Sequence, residues 1–387
     1  MKNLLLALGV IGLSLLYPGK SAMAQSWQPT STPATNWSSI ASSANGDRLA
    51  ATVYGGGIYT STNSGNTWFP TLAPDYSWES VACSADGLKL VAAALSGQIY
   101  TSTDGGNDWT SNNVTPESWI SVTSSADGTN LVALSFYDDL IYYSTNAGTD
   151  WTPVAEPGTI FWRSVASSAD GSKCVAAILG GGIYVSTDYG ADWSQTLAPI
   201  TNWTSVASSA DGANLVATES AGGGIYVSTN SGGTWNLTLA PSNVWFAVAS
   251  SADGTKLAAA AGGPLGSAPI YTSTNSGNTW VQAQALSAAW DCIASSASGA
   301  KLVAGDYGGQ IYRWDYTPTL YIAYGNTNAV VSWVAAAGDF VLQQSPNLTA
   351  NNWTALTNVP AFNSTNSLNA VTLLSSSGNT FFRLSGQ

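Results

Sequence analysis

Tryptophan recurs at a near-constant interval along the 387 residues, and that interval constrains the fold more than any other feature. Trp37, Trp78, Trp119, Trp162, Trp203, Trp245 and Trp290 are separated by 41, 41, 43, 41, 42 and 45 residues. Each interval carries one pattern. The Trp opens an apolar-alternating stretch such as Ser80-Val81-Ala82, followed by a Ser-Ala-Asp-Gly turn such as Ser168-Ala169-Asp170-Gly171. A small-apolar run comes next (Leu215-Val216-Ala217), then a Gly-rich turn and an Ile-Tyr pair. That pair stands at Ile58-Tyr59, Ile99-Tyr100, Ile141-Tyr142, Ile183-Tyr184, Ile225-Tyr226, Ile270-Tyr271 and Ile311-Tyr312. A last turn leads to a second Trp and a fourth short stretch.

Four short strands per interval, punctuated by Gly, Asn and Asp turns, make one blade of a β-propeller. No window holds a sustained 3.6-residue apolar period, so helical repeats are excluded. A β-helix rung is much shorter than this interval. The sequence therefore predicts an all-β, seven-bladed β-propeller. The seventh repeat stops at Ile311-Tyr312-Arg313-Trp314 without a fourth strand. The segment Ser26-Trp27-Gln28-Pro29-Thr30 aligns with the fourth-strand segment Thr67-Trp68-Phe69-Pro70-Thr71. It is expected to supply the missing strand and close the ring, which removes two unpaired edges.

Composition narrows the chemistry. Only 8% of residues are charged, 10 Lys plus Arg against 22 Asp plus Glu, and there is no His. Ser-His-Asp catalysis, Cys-His catalysis and imidazole-ligated metal sites are excluded. A net charge of -12 repels phosphate backbones, so no nucleic-acid partner is expected. No EF-hand-like spacing occurs, and neither a metal nor another cofactor is predicted. No residue pattern specifies an oligomeric state.

Residues 1–24 read as a signal peptide: Lys2 begins it, Leu4 to Leu16 form a short apolar run, and Ala22-Met23-Ala24 fits the cleavage rule. Cleavage before Gln25 would leave an exported protein without an integral membrane segment. Cys83, Cys174 and Cys292 replace Ser or Leu of other repeats and read as small buried strand residues, not as a disulfide framework. The propeller is assigned to residues 25–316. Residues 317–387 lack the repeat and alternate through Leu320-Tyr321-Ile322, Val330-Val331-Ser332-Trp333, Phe340-Val341-Leu342 and Phe381-Phe382-Arg383-Leu384, predicting a small β-sandwich-like module.

The turn between third and fourth strands reads Ser61-Thr62-Asn63-Ser64-Gly65-Asn66-Thr67-Trp68 in the first repeat. Its counterparts start at Ser102, Ser144, Ser186, Ser228 and Ser273. This Ser-x-Asp/Asn-x-Gly-x-x-Trp pattern resembles the Asp-box, or BNR repeat, of the sialidase-like propellers. The resemblance spans about residues 58 to 284 and implies the propeller fold, with the boxes on the face away from the functional site. The resembled families include sialidases, xyloglucanase-type endoglucanases and photosystem II assembly propellers. Sialidases use six blades, an arginine triad, a Tyr-Glu pair and an acid/base Asp. This propeller has only Arg48, Arg163 and Arg313, and Arg48 follows a turn at the far end of the innermost strand, so sialidase activity does not carry over. It also lacks the basic groove of the assembly factors. The stretch from Phe340 to Leu348, with Asn352-Trp353-Thr354 and the final Phe381-Phe382-Arg383-Leu384, resembles a C-terminal module of large exported bacterial proteins.

The residues just after each repeat Trp are expected near the inner rim of the opposite face: Ser38, Glu79, Ile120, Arg163, Thr204, Phe246 and Asp291. Only Glu79, Arg163 and Asp291 are charged. The loops between second and third strands add Tyr54, Phe136, Tyr137, Asp138, Glu219, Asp306 and Tyr307 to that face. Aromatic rings mixed with carboxylates suit a polysaccharide or other cell-surface partner. The ligand-binding candidates are Glu79, Arg163, Phe246, Asp291, Tyr54, Tyr137 and Tyr307. The sequence favours a binding protein over an enzyme. The alternative is a glycoside hydrolase using Glu79 and Asp291, since that reaction needs two carboxyl groups about 5 to 9.5 Å apart.

Overall fold

The computed structural model describes residues 27–386 except 113, 116, 137–139, 156–160, 221, 264–265, 284–286, 316–319, 325–327, 335–339, 347–352, 357–360, 364–367 and 375–379. The expected signal segment, Tyr137 and Asp138 lie outside the described residues. No α-helix forms among those described. The chain divides into one compact unit over Ser26–Asp315 and a second that includes Tyr316–Gln387.

In the larger unit, each Trp lies at or within two residues of the start of the first strand of an antiparallel four-stranded sheet. The first sheet joins Thr35–Ser42, Leu49–Gly56, Ile58–Ser61 and Phe69–Pro70 in chain order. The pattern recurs through first strands Tyr76–Cys83, Trp119–Ser124, Trp162–Ser167, Thr201–Ser208, Trp245–Ser250 and Trp290–Ser295. Second strands such as Leu90–Ala94 and Leu257–Ala261 are buried along their whole length. A strand covered on both faces loses the polar alternation of a half-exposed one, and small Ala side chains allow neighbouring sheets to approach. The fourth strands are mostly two residues long and exposed, which limits the outer edge available for pairing with another chain.

The hydrophobic cores lie between sheets rather than within them. Trp78, Val81, Leu90, Ala92 and Ala94 pack against Ala41, Ala50 and Ile58 of the preceding sheet. Trp37, Ile40, Leu49 and Val53 pack against Cys292, Ala294, Val303 and Ile311 of the last. All seven repeat Trp rings are fully buried, and each meets the Tyr of its own Ile-Tyr pair edge to face. Their centroids are 5.0 Å apart for Trp119–Tyr142 and 5.5 Å for Trp162–Tyr184, in the favourable range for aromatic pairs.

A closed circuit of backbone hydrogen bonds joins the turns between first and second strands, Ser-Ala-Asp-Gly in five repeats, Ser43-Ala44-Asn45-Gly46 in the first and Ser296-Ala297-Ser298-Gly299 in the last. Ala44 N–H donates to Ala85 O, and Ala85, Ala126, Ala169, Ala210 and Ala252 each donate to the counterpart in the next repeat. Ala297 N–H then donates back to Ala44 O at 2.8 Å. Five further links run between first strands, where Val81, Val122, Val165, Val206 and Val248 N–H donate to the Ser39, Ser80, Ser121, Ser164 and Ser205 hydroxyls. Cys292 occupies the corresponding Ser position of the last repeat. It is buried, as is Cys174; Cys83 retains partial exposure, although burial of its thiol pushes its pKa up to about 12.

The Ser-x-Asp/Asn-x-Gly-x-x-Trp turns bond within themselves and, through the fourth residue, to the turn between first and second strands, as where Ser64 N–H donates to Asp47 O and its hydroxyl to the Asp47 carboxylate. The Ser102 hydroxyl donates to Asp104 and accepts from Gly106 N–H, while Asp104 accepts from the Asn107 and Asp108 N–H groups. Those donors hold Asp104 below the usual carboxylate range. The fourth box position is left-handed, with φ of 57° at Ser64 and 67° at Tyr189.

At the seam between the two ends of the larger unit, Gln28–Pro29 pairs antiparallel with Ile311–Asp315, placing Gln28 opposite Arg313 and Pro29 opposite Tyr312. Thr30 N–H donates to Ile311 O, and Ile311 N–H donates to the buried Thr32 hydroxyl, both at 2.9 Å. Lys301 Nζ forms an ion pair with Asp47 at 2.7 Å and also donates to Asn45 O.

The C-terminal unit holds two sheets. One joins Tyr321–Tyr324, Asn328–Val334, Leu368–Leu374 and Ala361–Asn363; the other joins Thr354–Ala355, Phe340–Ser345 and Phe381–Gly386. Val331, Trp333 and Val371 of the first share a core with Leu342 and Phe382 of the second.

Thr32→Val leaves the Ile311 N–H without its acceptor inside the seam, and chemical denaturation should show a loss of about 1–3 kcal/mol. Deleting residues 27–33 should cost substantially more thermal stability. An unchanged melting curve after that deletion would contradict a stabilising role for the N-terminal segment.

Candidate functional site

The first strands reach their turn circuit at one end and begin at the Trp residues at the other. A β-bulge interrupts every first strand directly after its Trp. In the first sheet Trp37 faces Val53 and Ser39 faces Thr52, which leaves Ser38 as the extra residue. The same shift isolates Glu79, Ile120, Arg163, Thr204, Phe246 and Asp291. A bulge redirects a side chain that regular pleating would bury between sheets. The inner-rim positions read from the sequence are thus the bulge residues.

These residues do not all serve the mouth. The Ser38 and Thr204 hydroxyls bond to Thr52 and Thr218 of their own second strands at 3.0 Å. Ile120 packs against the core between the third and fourth sheets. Four remain: Glu79, Arg163, Phe246 and Asp291. Arg163 reaches across the mouth from the fourth sheet, and its guanidinium lies 5.6 Å from the centroid of the Phe246 ring of the sixth. Phe246 is backed by Gly263, with φ +57°, where an added Cβ would collide with the ring.

Arg163 acts through space on both carboxyls and favours their ionised forms. It does not pair with either: among the described residues, the ion pair within 4.0 Å is Lys301–Asp47. Among the described residues, neither carboxyl receives a hydrogen bond. Burial dominates and pushes Glu79 up to about 7. Burial likewise pushes Asp291 up to about 7, and the Glu79 charge adds to that rise. Among the described bulge residues, two carboxyls therefore titrate near neutral pH beside the Arg163 guanidinium.

The hairpin candidates divide by role. Tyr54 and Tyr307 are exposed, followed by left-handed Gly55 and Gly308, and their strands pair onto the start of the next first strand, Tyr54 with Ser77 and Tyr307 with Asn36. Glu219 is buried and is not a ligand group: it accepts from the Thr201 hydroxyl and Gly224 N–H. Asp306 accepts from Ala289 N–H and is also raised by burial. Phe136 packs on Phe161 at 5.5 Å. Sequence reasoning missed the exposed rim residues Tyr76 and Phe161, which stand two and one residues before a repeat Trp, and missed Gly263. Aromatic residues directly preceding the Trp were the available signal; nothing in the sequence ties Gly263 to Phe246.

No family model matches the chain, and no curated protein matches it. Solved structures do match. YCF48 from Cyanidioschyzon merolae is 18% identical with a TM-score of 0.59, covering 75% of this chain and 98% of its own. A structure described as YCF48 bound to D1 peptide is 16% identical with a TM-score of 0.59, covering 78% and 100%. Virginiamycin B lyase from Staphylococcus aureus is 17% identical with a TM-score of 0.61, covering 75% and 98%. The fold is a β-propeller. At these identities the likeness concerns fold alone.

The raised carboxyls link stability to pH with a definite sign. Folded Glu79 keeps its proton to about 7, whereas an unfolded Glu releases it from 4.5, so stability declines as pH rises through that window. Glu79→Gln should raise the melting temperature by about 2–4 °C at pH 8 and leave it unchanged at pH 4, measured by calorimetry. An equal gain at both pH values would assign the effect to packing rather than titration.

Proposed function

We propose that the protein is an exported, non-catalytic, seven-bladed β-propeller that holds a polysaccharide or other cell-surface component at its mouth. The convergence of Glu79, Arg163, Phe246 and Asp291 from four bulges carries this reading, because unpaired carboxyls kept half-buried destabilise the fold and imply a use outside it. Exposed Tyr54 and Tyr307 add ring faces at the same end. The closed circuit from Ala44 through Ala297 and the Gln28–Pro29 pairing support seven blades sealed by an N-terminal strand. The six Asp-box turns support the BNR-type resemblance, and the shared core of the two C-terminal sheets supports a sandwich-like module at 317–387. One propeller of similar fold has a bound peptide, so a macromolecular partner is in keeping with the fold.

The glycoside hydrolase reading keeps one observation in its favour: a carboxyl raised to about 7 suits a general acid. Catalysis, however, wants two carboxyls in different protonation states, and burial moves this pair together.

Binding to a panel of soluble and insoluble polysaccharides should weaken about tenfold in Glu79→Gln/Asp291→Asn and in Tyr54→Ala/Tyr307→Ala, with no reducing sugar released by any form. Undiminished binding in both double variants would exclude the mouth, and sugar release lost in Glu79→Gln would favour the hydrolase. For export, the N-terminus of the secreted protein should begin at Gln25; a cytosolic chain retaining Met1 would refute it.

A further inference from the structure

The chemical group that enters the mouth follows from three features, given the binding role proposed above. Among the described residues, Glu79 and Asp291 have no donor and no paired cation, although Arg163 is within electrostatic reach. Arg163 is instead held on the Phe246 face, and Gly263 leaves that ring the room it occupies. Two carboxylates against one guanidinium leave the mouth one negative charge in excess when both ionise. Among the described residues of this face, Glu219 is engaged by Thr201 and Gly224, Asp306 by Ala289 and Glu117 by Tyr142, while Asp75 stands exposed at the rim beside Gly57.

Depth decides what can reach the pair. Tyr54 pairs with Ser77 at the start of the second first strand, and Glu79 lies two residues further in, roughly 6–7 Å along the strand. The carboxyls thus sit below the tyrosine rim. A charged head on a thin apolar stem fits that arrangement. A lysine ammonium is compact, with three donors that can divide between two separate carboxylates, whereas a guanidinium fork matches a single one. Rim aromatic faces also favour a passing cation.

We infer that the mouth receives one lysine side chain from an extended segment of a partner polypeptide, its ammonium seated between Glu79 and Asp291. Calorimetric titration of the full chain with acetyl-Gly-Gly-Lys-Gly-Gly-amide, its Nε-acetyl-lysine counterpart and cellohexaose, at pH 6 and pH 8, tests this. The lysine peptide should bind about tenfold more tightly at pH 8, where the carboxyls ionise while the ammonium stays charged, and about tenfold more tightly than the acetylated peptide. Glu79→Gln/Asp291→Asn should abolish both differences, while the charge-matched surface pair Asp108→Asn/Asp192→Asn, in the turns at the other end of the strands, keeps them. Equal affinity for the two peptides, or loss of preference in the surface pair, overturns the inference. Cellohexaose binding that depends on the mouth residues, without lysine preference, overturns it while leaving the binding role standing. Loss of neither ligand in the mouth variant overturns both.

Discussion

A single four-stranded sheet in this protein cannot bury its own faces. Every core cluster of the larger unit lies between two successive sheets, with a repeat Trp from one set against the Ala-rich second strand of the other. Burial of such area is worth about 25 cal/mol per Å², and only adjacent sheets provide it. Stability is therefore a property of the circle rather than of the repeat. The alanine circuit and the seam contacts at Gln28, Thr30, Thr32 and Lys301 matter for that reason: the last interface is the one the chain's own connectivity does not supply.

The same geometry creates the mouth. First strands packed side by side leave no room for a regular pleat to present side chains inward, and the bulge after each Trp releases one residue from the ladder. Where that residue is Ser or Thr it folds back onto its own sheet. Where it is charged or aromatic it turns off its own sheet: Arg163 lies over the Phe246 ring, and Glu79 and Asp291 lie within its electrostatic reach. Low solvation then does to the carboxyls what it does to any part-buried acid, and Arg163 offsets only part of the cost because its guanidinium is held by a ring.

Much of this was legible in advance. Periodic Trp and Ile-Tyr pairs identified the repeated sheets, and counting one residue past each Trp reached the bulge positions, Glu79, Arg163, Phe246 and Asp291 among them. The functional sorting within that ring was not legible. Ser38 and Thr204 carry the same hydroxyl chemistry as many rim residues, and only their hydrogen bonds to Thr52 and Thr218 show them folded back onto their own sheets. Glu219 and Asp306 read as mouth carboxylates until their N–H and hydroxyl donors are seen. Gly263 lies 17 positions from Phe246 in sequence and acquires its role only by stacking against the ring.

Sequence by itself determined the period, the strand and turn chemistry, the charge poverty and the absence of histidine, because these depend on residue type and local spacing. The tertiary structure decided which groups meet. The contact between Arg163 and Phe246, and the burial that raises the pKa values of Glu79 and Asp291, arise between sheets separated by tens of residues. Local pattern carries no information about distance across a closed ring; closure sets it.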